Sequence, residues 1–215
     1  MLRRLSGMLL LLLLAPSAAL AQTGKHVALG VSLGVSKYND KAFDSSKLEI
    51  SPAYRLRLKT THQDGWGWSL KGGVGYSRKN TSADIAGNRT KLGKLQTIPL
   101  MVGGQRVYRQ GPLEVGMGVV AGPAFHHFDV DAAARDAYQN DLGVQLEDVK
   151  VKTSIAVRPE IGAWYDLSEW FAVGASVSYL FDRPKAEVRA GGTTSSSTWT
   201  VDHTSASVRV VVGIF

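Results

Sequence analysis

The chain has 215 residues, a formal net charge of +7 and no cysteine. That length fits one domain, and the missing cysteines exclude a disulfide framework and thiolate metal sites. The charge suits an anionic surface, but no basic helix or aromatic nucleic-acid motif accompanies it, so nucleic acid is set aside as a partner.

Residues 1–21 read as a secretory signal peptide. Arg3 and Arg4 form its charged start, residues 8–14 an apolar run, and Ala19-Leu20-Ala21 a small-x-small cleavage site before Gln22. The run is too short to span a bilayer, and no later stretch has roughly 18 uninterrupted apolar residues. Without Arg3 and Arg4 the 25 basic residues fall to 23, against 18 acidic ones.

The expected mature domain, 22–215, alternates apolar and small or polar residues with the period of two that strands impose. In the first strand, about 25–36, Val27, Leu29, Val31, Leu33 and Val35 oppose Ala28, Gly30, Ser32 and Gly34. A polar loop, 38–47, leads to a second strand with Tyr54, Leu56 and Leu58 opposite Arg55, Arg57 and Lys59. His62-Gln63-Asp64-Gly65 is a tight turn carrying the Asp-Gly hairpin signal. The third strand sets Trp66, Trp68 and Leu70 against Ser69, Lys71 and Gly73. A basic loop over 78–93 separates it from the fourth strand, about 94–108, in which Ile98, Leu100 and Val102 oppose Thr97, Pro99 and Met101.

The fifth strand, 113–125, is the most explicit. Leu113, Val115, Met117 and Val119 oppose Glu114, Gly116, Gly118 and Val120. A solvated strand face usually carries Thr, Lys, Glu and Arg, whereas a face of Gly and Ala suits a cramped interior. The apolar face then points outward, into lipid. The longest loop, 128–148, has a short helix as an option at 131–138. The sixth strand, 149–163, places Lys150, Lys152, Arg158 and Glu160 on its polar face. The seventh runs over 171–181, a Gly/Ser/Thr-rich loop over 182–198, and the eighth from about 199 to Phe215. Pro52, Pro99, Pro123 and Pro159 fall inside strands, where missing ladder donors predict bulges.

These elements predict an all-β fold, an eight-stranded antiparallel transmembrane β-barrel with short periplasmic turns and long outer loops. An eight-stranded barrel is filled by side chains, which accounts for the Gly, Ala and Ser face. Aromatic residues beside the turns and beside the long loops fit two interfacial girdles. The chain thus resembles the small outer-membrane β-barrel (porin-like) family of Gram-negative bacteria. Leu95-Gln96-Thr97-Ile98-Pro99-Leu100, followed by 113–123, is similar to porin-like barrels common in the Bacteroidota. The resemblance implies an outer-membrane location and contact with membrane lipid and lipopolysaccharide. It also implies that Phe215 is an assembly signal for the barrel-assembly machinery. Val208, Val210, Val212 and Ile214 make the even face of the last strand the apolar one, with Phe215 on the opposite parity.

Six charged residues fall on faces assigned to the interior: Arg55, Arg57, Lys71, Glu114, Arg158 and Glu160. Buried charges persist only when paired, so a lumenal ion network is expected. Adjacency of strands five and six would bring Glu114 near Arg158 and Glu160, with Arg57 reaching Glu160 across the lumen. His203 and Ser205 share a face and resemble the His-x-Ser element of lipid A deacylases, but Ala206 replaces the usual Asn and no carboxylate follows. His126 and His127 point to opposite faces and cannot easily share a metal. Arg78, Lys79, Arg89, Lys91 and Lys94 could meet lipopolysaccharide phosphates, or form a merely solvated loop. No cofactor motif is present. The expectation is a monomeric, non-enzymatic barrel serving membrane structure, surface contact or limited small-solute passage. The alternatives are a lipid A-modifying hydrolase and an exported soluble barrel holding an apolar ligand.

Overall fold

The computed structural model describes residues 27–43, 48–56, 65–168 and 170–213, and only the backbone of 27, 28 and 48–56. The leader, Arg57, Phe215 and the side chain of Arg55 lie outside the described residues. In chain order come β1 (Val27–Tyr38), β2 (Leu48–Leu56), β3 (Gly65–Val74), β4 (Ser77–Ile85), β5 (Asn88–Gln110) and β6 (Leu113–Val130). Then follow α1 (Ala132–Asp141), β7 (Leu146–Val151), β8 (Ser154–Asp166), β9 (Phe171–Leu180), β10 (Lys185–Ala190), β11 (Thr193–Thr198) and β12 (His203–Gly213).

The main sheet is antiparallel throughout and runs β2-β1-β12-β9-β8-β6-β5-β3, with β4 also paired to β5. The first and last strands of the described chain are thus neighbours. β2 and β3 end the path, and no pairing joins them among the described residues. A second sheet, β11-β10-β7, stands at the end of the long connections.

Burial along the main sheet is inverted relative to a water-soluble protein. Leu29, Val31, Leu33 and Val35 are exposed, while Ser32 and Ser36 are buried. Trp66, Trp68 and Leu70 are exposed and Ser69 is buried. On β12 the even residues Val208, Val210 and Val212 are exposed, and Val211 is buried. A continuous exposed apolar belt of this kind is stable only against a non-aqueous surrounding. No described helix is long and apolar enough to cross a membrane.

Two expectations about the long loops are corrected. Residues 78–93 are mostly strand: β4 and the start of β5 form a hairpin around Ala86-Gly87, where Gly87 takes the positive φ of a tight turn. Residues 182–198 likewise contain the β10–β11 hairpin. The predicted strand 149–163 is two strands in two sheets, broken at Lys152-Thr153. The optional helix exists as α1, capped by Asp131, whose carboxylate accepts the Ala133 N–H.

The strand prolines do not produce bulges. Register runs unchanged through Pro52, Pro99, Pro123 and Pro159, and the shifts fall instead at Thr81/Ser82 and Arg189/Ala190. The prolines interrupt ladders. β3 and β4 keep one register against β5 and are separated at Gly75-Tyr76, opposite Pro99. The Gly75 N–H still donates to the Pro99 carbonyl at 3.0 Å, but Pro99 has no N–H to return. The β5–β6 ladder lapses in the same way at Leu100-Met101, opposite Gly122-Pro123.

Beyond the main sheet, Tyr38, Phe43, Leu95, Phe128, Leu146 and Val149 form a conventional apolar core beneath the second sheet and α1.

Candidate functional site

The chemistry of the inner face concentrates around Glu160. Its Oε1 accepts from Lys71 Nζ at 2.5 Å and from Arg209 Nη2 at 3.0 Å. Arg158 Nε lies 4.0 Å from Oε2. The same Arg209 Nη2 donates to Ser176 Oγ at 2.6 Å. Register explains the convergence. Glu160 pairs with Gly118 on one side and Ser178 on the other, Arg209 lies opposite Gly174, and Lys71 opposite Gly103. The long side chains therefore meet over a floor of Gly and Ser, which leaves them room.

Exposure within the cluster is uneven. The Glu160 side chain is 5% exposed, against 22% for Lys71, 18% for Arg209 and 31% for Arg158. The carboxylate is sequestered behind its partners, and the cations present the surface.

That surface bounds a cavity of about 190 Å³. Its walls include hydroxyls (Ser36, Ser178, Ser205) and apolar groups (Val74, Met101, Leu180). Ser178 and Ser205 hydrogen-bond each other at 2.8 Å across β9 and β12, and Ser176 and Ser207 do so at 3.1 Å. Above, Thr97 Oγ1 is 3.0 Å from His126 Nδ1, His126 Nε2 is 2.9 Å from Ser154 Oγ, and Ser154 donates to Asp182 Oδ1 at 2.5 Å. His126 and Asp182 are fully buried in this chain. Nearby, Asp202 accepts the Asp182 N–H at 2.8 Å and the Arg183 guanidinium at 3.1 Å.

Below the cluster lies a gap of about 10 Å³ bordered by Gln105, Glu114 and Trp164. That is on the order of one water. Further down, Trp164 packs with Ala172 and Val211, and Arg109 pairs with Asp166 at 3.0 Å.

The structure brings Lys71, Arg158 and Glu160 together. It does not bring Glu114 to Arg158: Glu114 faces Trp164, and Arg158 faces Val120, six residues up β6. At a strand rise of 3.3 Å that is roughly 20 Å. Glu114 is buried and shares the lower gap with Glu160. Arg209 was missed by the sequence reading. The parity that selected Arg158 also selects it, since Ser205, Ser207, Arg209 and Val211 form the inward face of β12.

His203 and Ser205 both line the cavity. His203 Nδ1 lies 3.1 Å from the Val201 carbonyl oxygen, its ring centroid is 4.5 Å from that of Tyr38 with the planes tilted by 37°, and Ser205 is bonded to Ser178. Both residues face inward, away from the outer surface where lipid acyl chains would lie. His126 points inward and His127 outward, toward Asp129 at 3.1 Å. No metal-ligand cluster occurs among the described residues. Of the basic 78–94 segment, Arg78 pairs with Asp129 at 3.6 Å and Lys91 with Asp131 at 2.6 Å. Lys79 is buried over the Tyr38 ring, and Arg89 donates to the Lys41 carbonyl.

With this architecture in hand, the comparisons are consistent with one another. The sequence model of the outer membrane protein β-barrel domain matches residues 7–180, and the chain belongs to that family. Its fold is similar to outer membrane protein OprG from Pseudomonas aeruginosa, with a TM-score of 0.63 at 13% identity, covering 87% of this chain and 94% of that one. It is also similar to outer membrane protein AlkL in lipid bilayers, with a TM-score of 0.56 at 15% identity, covering 88% and 90%. A weaker likeness, TM-score 0.48 at 11% identity over 88% and 97%, is to Ail, the attachment invasion locus protein of Yersinia pestis. No curated protein matches the chain. Membership of the family places the chain in the outer membrane.

Proposed function

We propose that the chain is a non-enzymatic outer-membrane barrel that binds small solutes in its lumen and passes them in limited amounts. The supporting observation is the cavity of about 190 Å³ set above an ion cluster, with a gap of about 10 Å³ among the described residues beneath it. An interior filled in this way by side chains suits limited passage and not a wide aqueous pore. In this reading eight staves close between β2 and β3, the short turns face the periplasm and the second sheet faces outward. The leader 1–21 is cleaved, Phe215 addresses the assembly machinery, and the barrel works as a monomer in contact with lipopolysaccharide.

The hydrolase alternative has less support. The candidate pair His203 and Ser205 lies on the inner face, and each hydrogen-bonds elsewhere. The soluble-barrel alternative conflicts with the exposed apolar belt. Surface contact remains a second role, favoured by one observation: β11 is exposed along its whole length and, among the described residues, pairs only with β10, which leaves a hydroxyl-rich edge strand open to an incoming segment.

The test is purified protein in planar bilayers and in proteoliposomes. Small solutes are expected to cross proteoliposomes faster than empty vesicles while single-channel conductance stays low. A large, steady conductance, or no solute flux at all, would reject the reading.

A further inference from the structure

We infer that the lumenal cavity is a site for a small amphiphilic monoanion, a carboxylate head on Lys71, Arg158 and Arg209 with a short apolar tail along the wall. The inference rests on the solute-binding reading above and adds the class of ligand.

Two observations carry it. The first is the exposure asymmetry: a molecule entering the cavity meets ammonium and guanidinium groups, because the Glu160 carboxylate is 5% exposed behind them. The second is unused donor capacity. Among the described residues Arg209 donates only through Nη2, to Glu160 and Ser176. Its Nε and Nη1 remain for a carboxylate, the planar anion that a guanidinium matches best.

The tail follows from the opposite wall. Val74, Met101 and Leu180 line the cavity above the cations, and Met101 and Leu180 belong to a packed inner apolar cluster. An inorganic anion would leave those groups uncovered. A neutral apolar solute would cover the cations without offering an acceptor to the spare Arg209 donors. A carboxylate with a short alkyl chain satisfies both ends, and the volume excludes a drug-sized molecule.

The experiment compares hexanoate, its neutral isostere hexanamide, and inorganic phosphate. Binding to the full-length folded barrel is measured by calorimetry against empty micelles. Hexanoate is expected to bind at least tenfold more tightly than hexanamide, with phosphate weaker still. Arg209→Gln should weaken hexanoate at least tenfold and leave hexanamide unchanged. If that variant does not fold, the wild-type comparison and the loss of hexanoate affinity with rising chloride decide the matter. Equal binding of acid and amide, an unaltered affinity in folded Arg209→Gln, or phosphate binding as tightly as hexanoate would overturn the inference. Proteoliposome flux separates it from the broader reading. Hexanamide crossing without preferential hexanoate binding removes the anion site and keeps passage. Tight hexanoate binding with no flux of either compound keeps the site and removes passage.

Discussion

Replacing Glu160 with Ala removes a carboxylate on which Lys71, Arg158 and Arg209 converge. Breaking a buried ion pair by deleting one partner costs about 3–5 kcal/mol, because the other charge is left uncompensated. Here the three cations keep 18–31% exposure toward the cavity, so water recovers part of the loss. The expected cost is therefore near the lower bound, about 3 kcal/mol. Glu160→Gln keeps the volume and an acceptor oxygen, and should cost less, about 1–2 kcal/mol. The assay is equilibrium urea unfolding in lipid vesicles, followed by tryptophan fluorescence and by gel mobility of unboiled samples. A double-mutant cycle with Lys71→Met should return a coupling of about 1–2 kcal/mol, as expected for directly bonded partners. A Glu160→Ala cost below about 0.5 kcal/mol, with no coupling to Lys71, would refute the argument: the cluster would then be fully hydrated and contribute no structure.

Four further outcomes are expected. Gly103→Ala should destabilise by about 2 kcal/mol in the same titration, because a Cβ there would stand 2.0 Å from the Val119 carbonyl oxygen of the paired strand. Val208→Arg, at an outward position 59% exposed, should cost about 2–4 kcal/mol in a bilayer, whereas a solvated face would tolerate it within about 0.5 kcal/mol. Asp131→Ala should raise amide exchange in the first turn of α1, since it removes the cap and the 2.6 Å pair with Lys91. The Lys91 ammonium and the Ala133 N–H hold the Asp131 carboxyl below its ordinary range. The difference between variant and wild type should therefore be complete above the unfolded carboxylate value of about 3.9 and vanish as pH falls through the lower folded one. His203→Ala and Ser205→Ala should leave the lipid A mass spectrum of expressing cells identical to that of wild type, and any lipid A change dependent on either residue would revive the hydrolase reading.

The main sheet was legible because its alternation has a single meaning. From Leu113 to Phe125 every second residue is apolar and the others are mostly small, with the Glu114 carboxylate and Val120 among them, and the structure puts Leu113, Val115, Met117 and Val119 outside. The same parity rule identified Lys71, Arg158 and Glu160 as inward. It puts Arg209 on the inward face of β12 as well, but the last strand was not placed beside β9, across which its side chain reaches Glu160 on β8. It misplaced Glu114 because face assignment carries no information on height, and register puts Glu114 opposite Trp164. The ladder breaks at Pro99 and Pro123 were read as bulges. A missing N–H removes a hydrogen bond whether or not an extra residue is inserted, and here no residue is inserted.

The extended end escaped a simple reading for a different reason, which also locates the membrane boundary. Along each stave the inward parity is preserved, but the chemistry of the two faces exchanges at one level. On β1 the outward residue changes from Val35 to Lys37, and the inward one from Ser36 to Tyr38. On β5 the outward series Val102, Leu100, Ile98 gives way to Gln96 and Lys94, while inward Thr97 gives way to Leu95. On β6 outward Phe125 is followed by His127, and inward His126 by Phe128. Register joins these positions across the sheet, with Gln96 opposite His127 and Ile98 opposite Phe125. Two alternations of opposite phase meet there, and together they read as irregular sequence. Physically they are one continuous strand passing from a non-polar to an aqueous exterior, with the interior changing from polar to apolar at the same height. From Leu113 to Phe125 the strand covers roughly 40 Å at 3.3 Å per residue. Tilted as outer-membrane strands are, that is roughly 30 Å along the membrane normal, an apolar band of about 25 Å plus its aromatic margins. The Glu160 cluster falls well inside that band, where the outer face of the sheet meets no water. Its cations border the cavity, and so a molecule that enters the cavity meets the charges that join β3, β8 and β12.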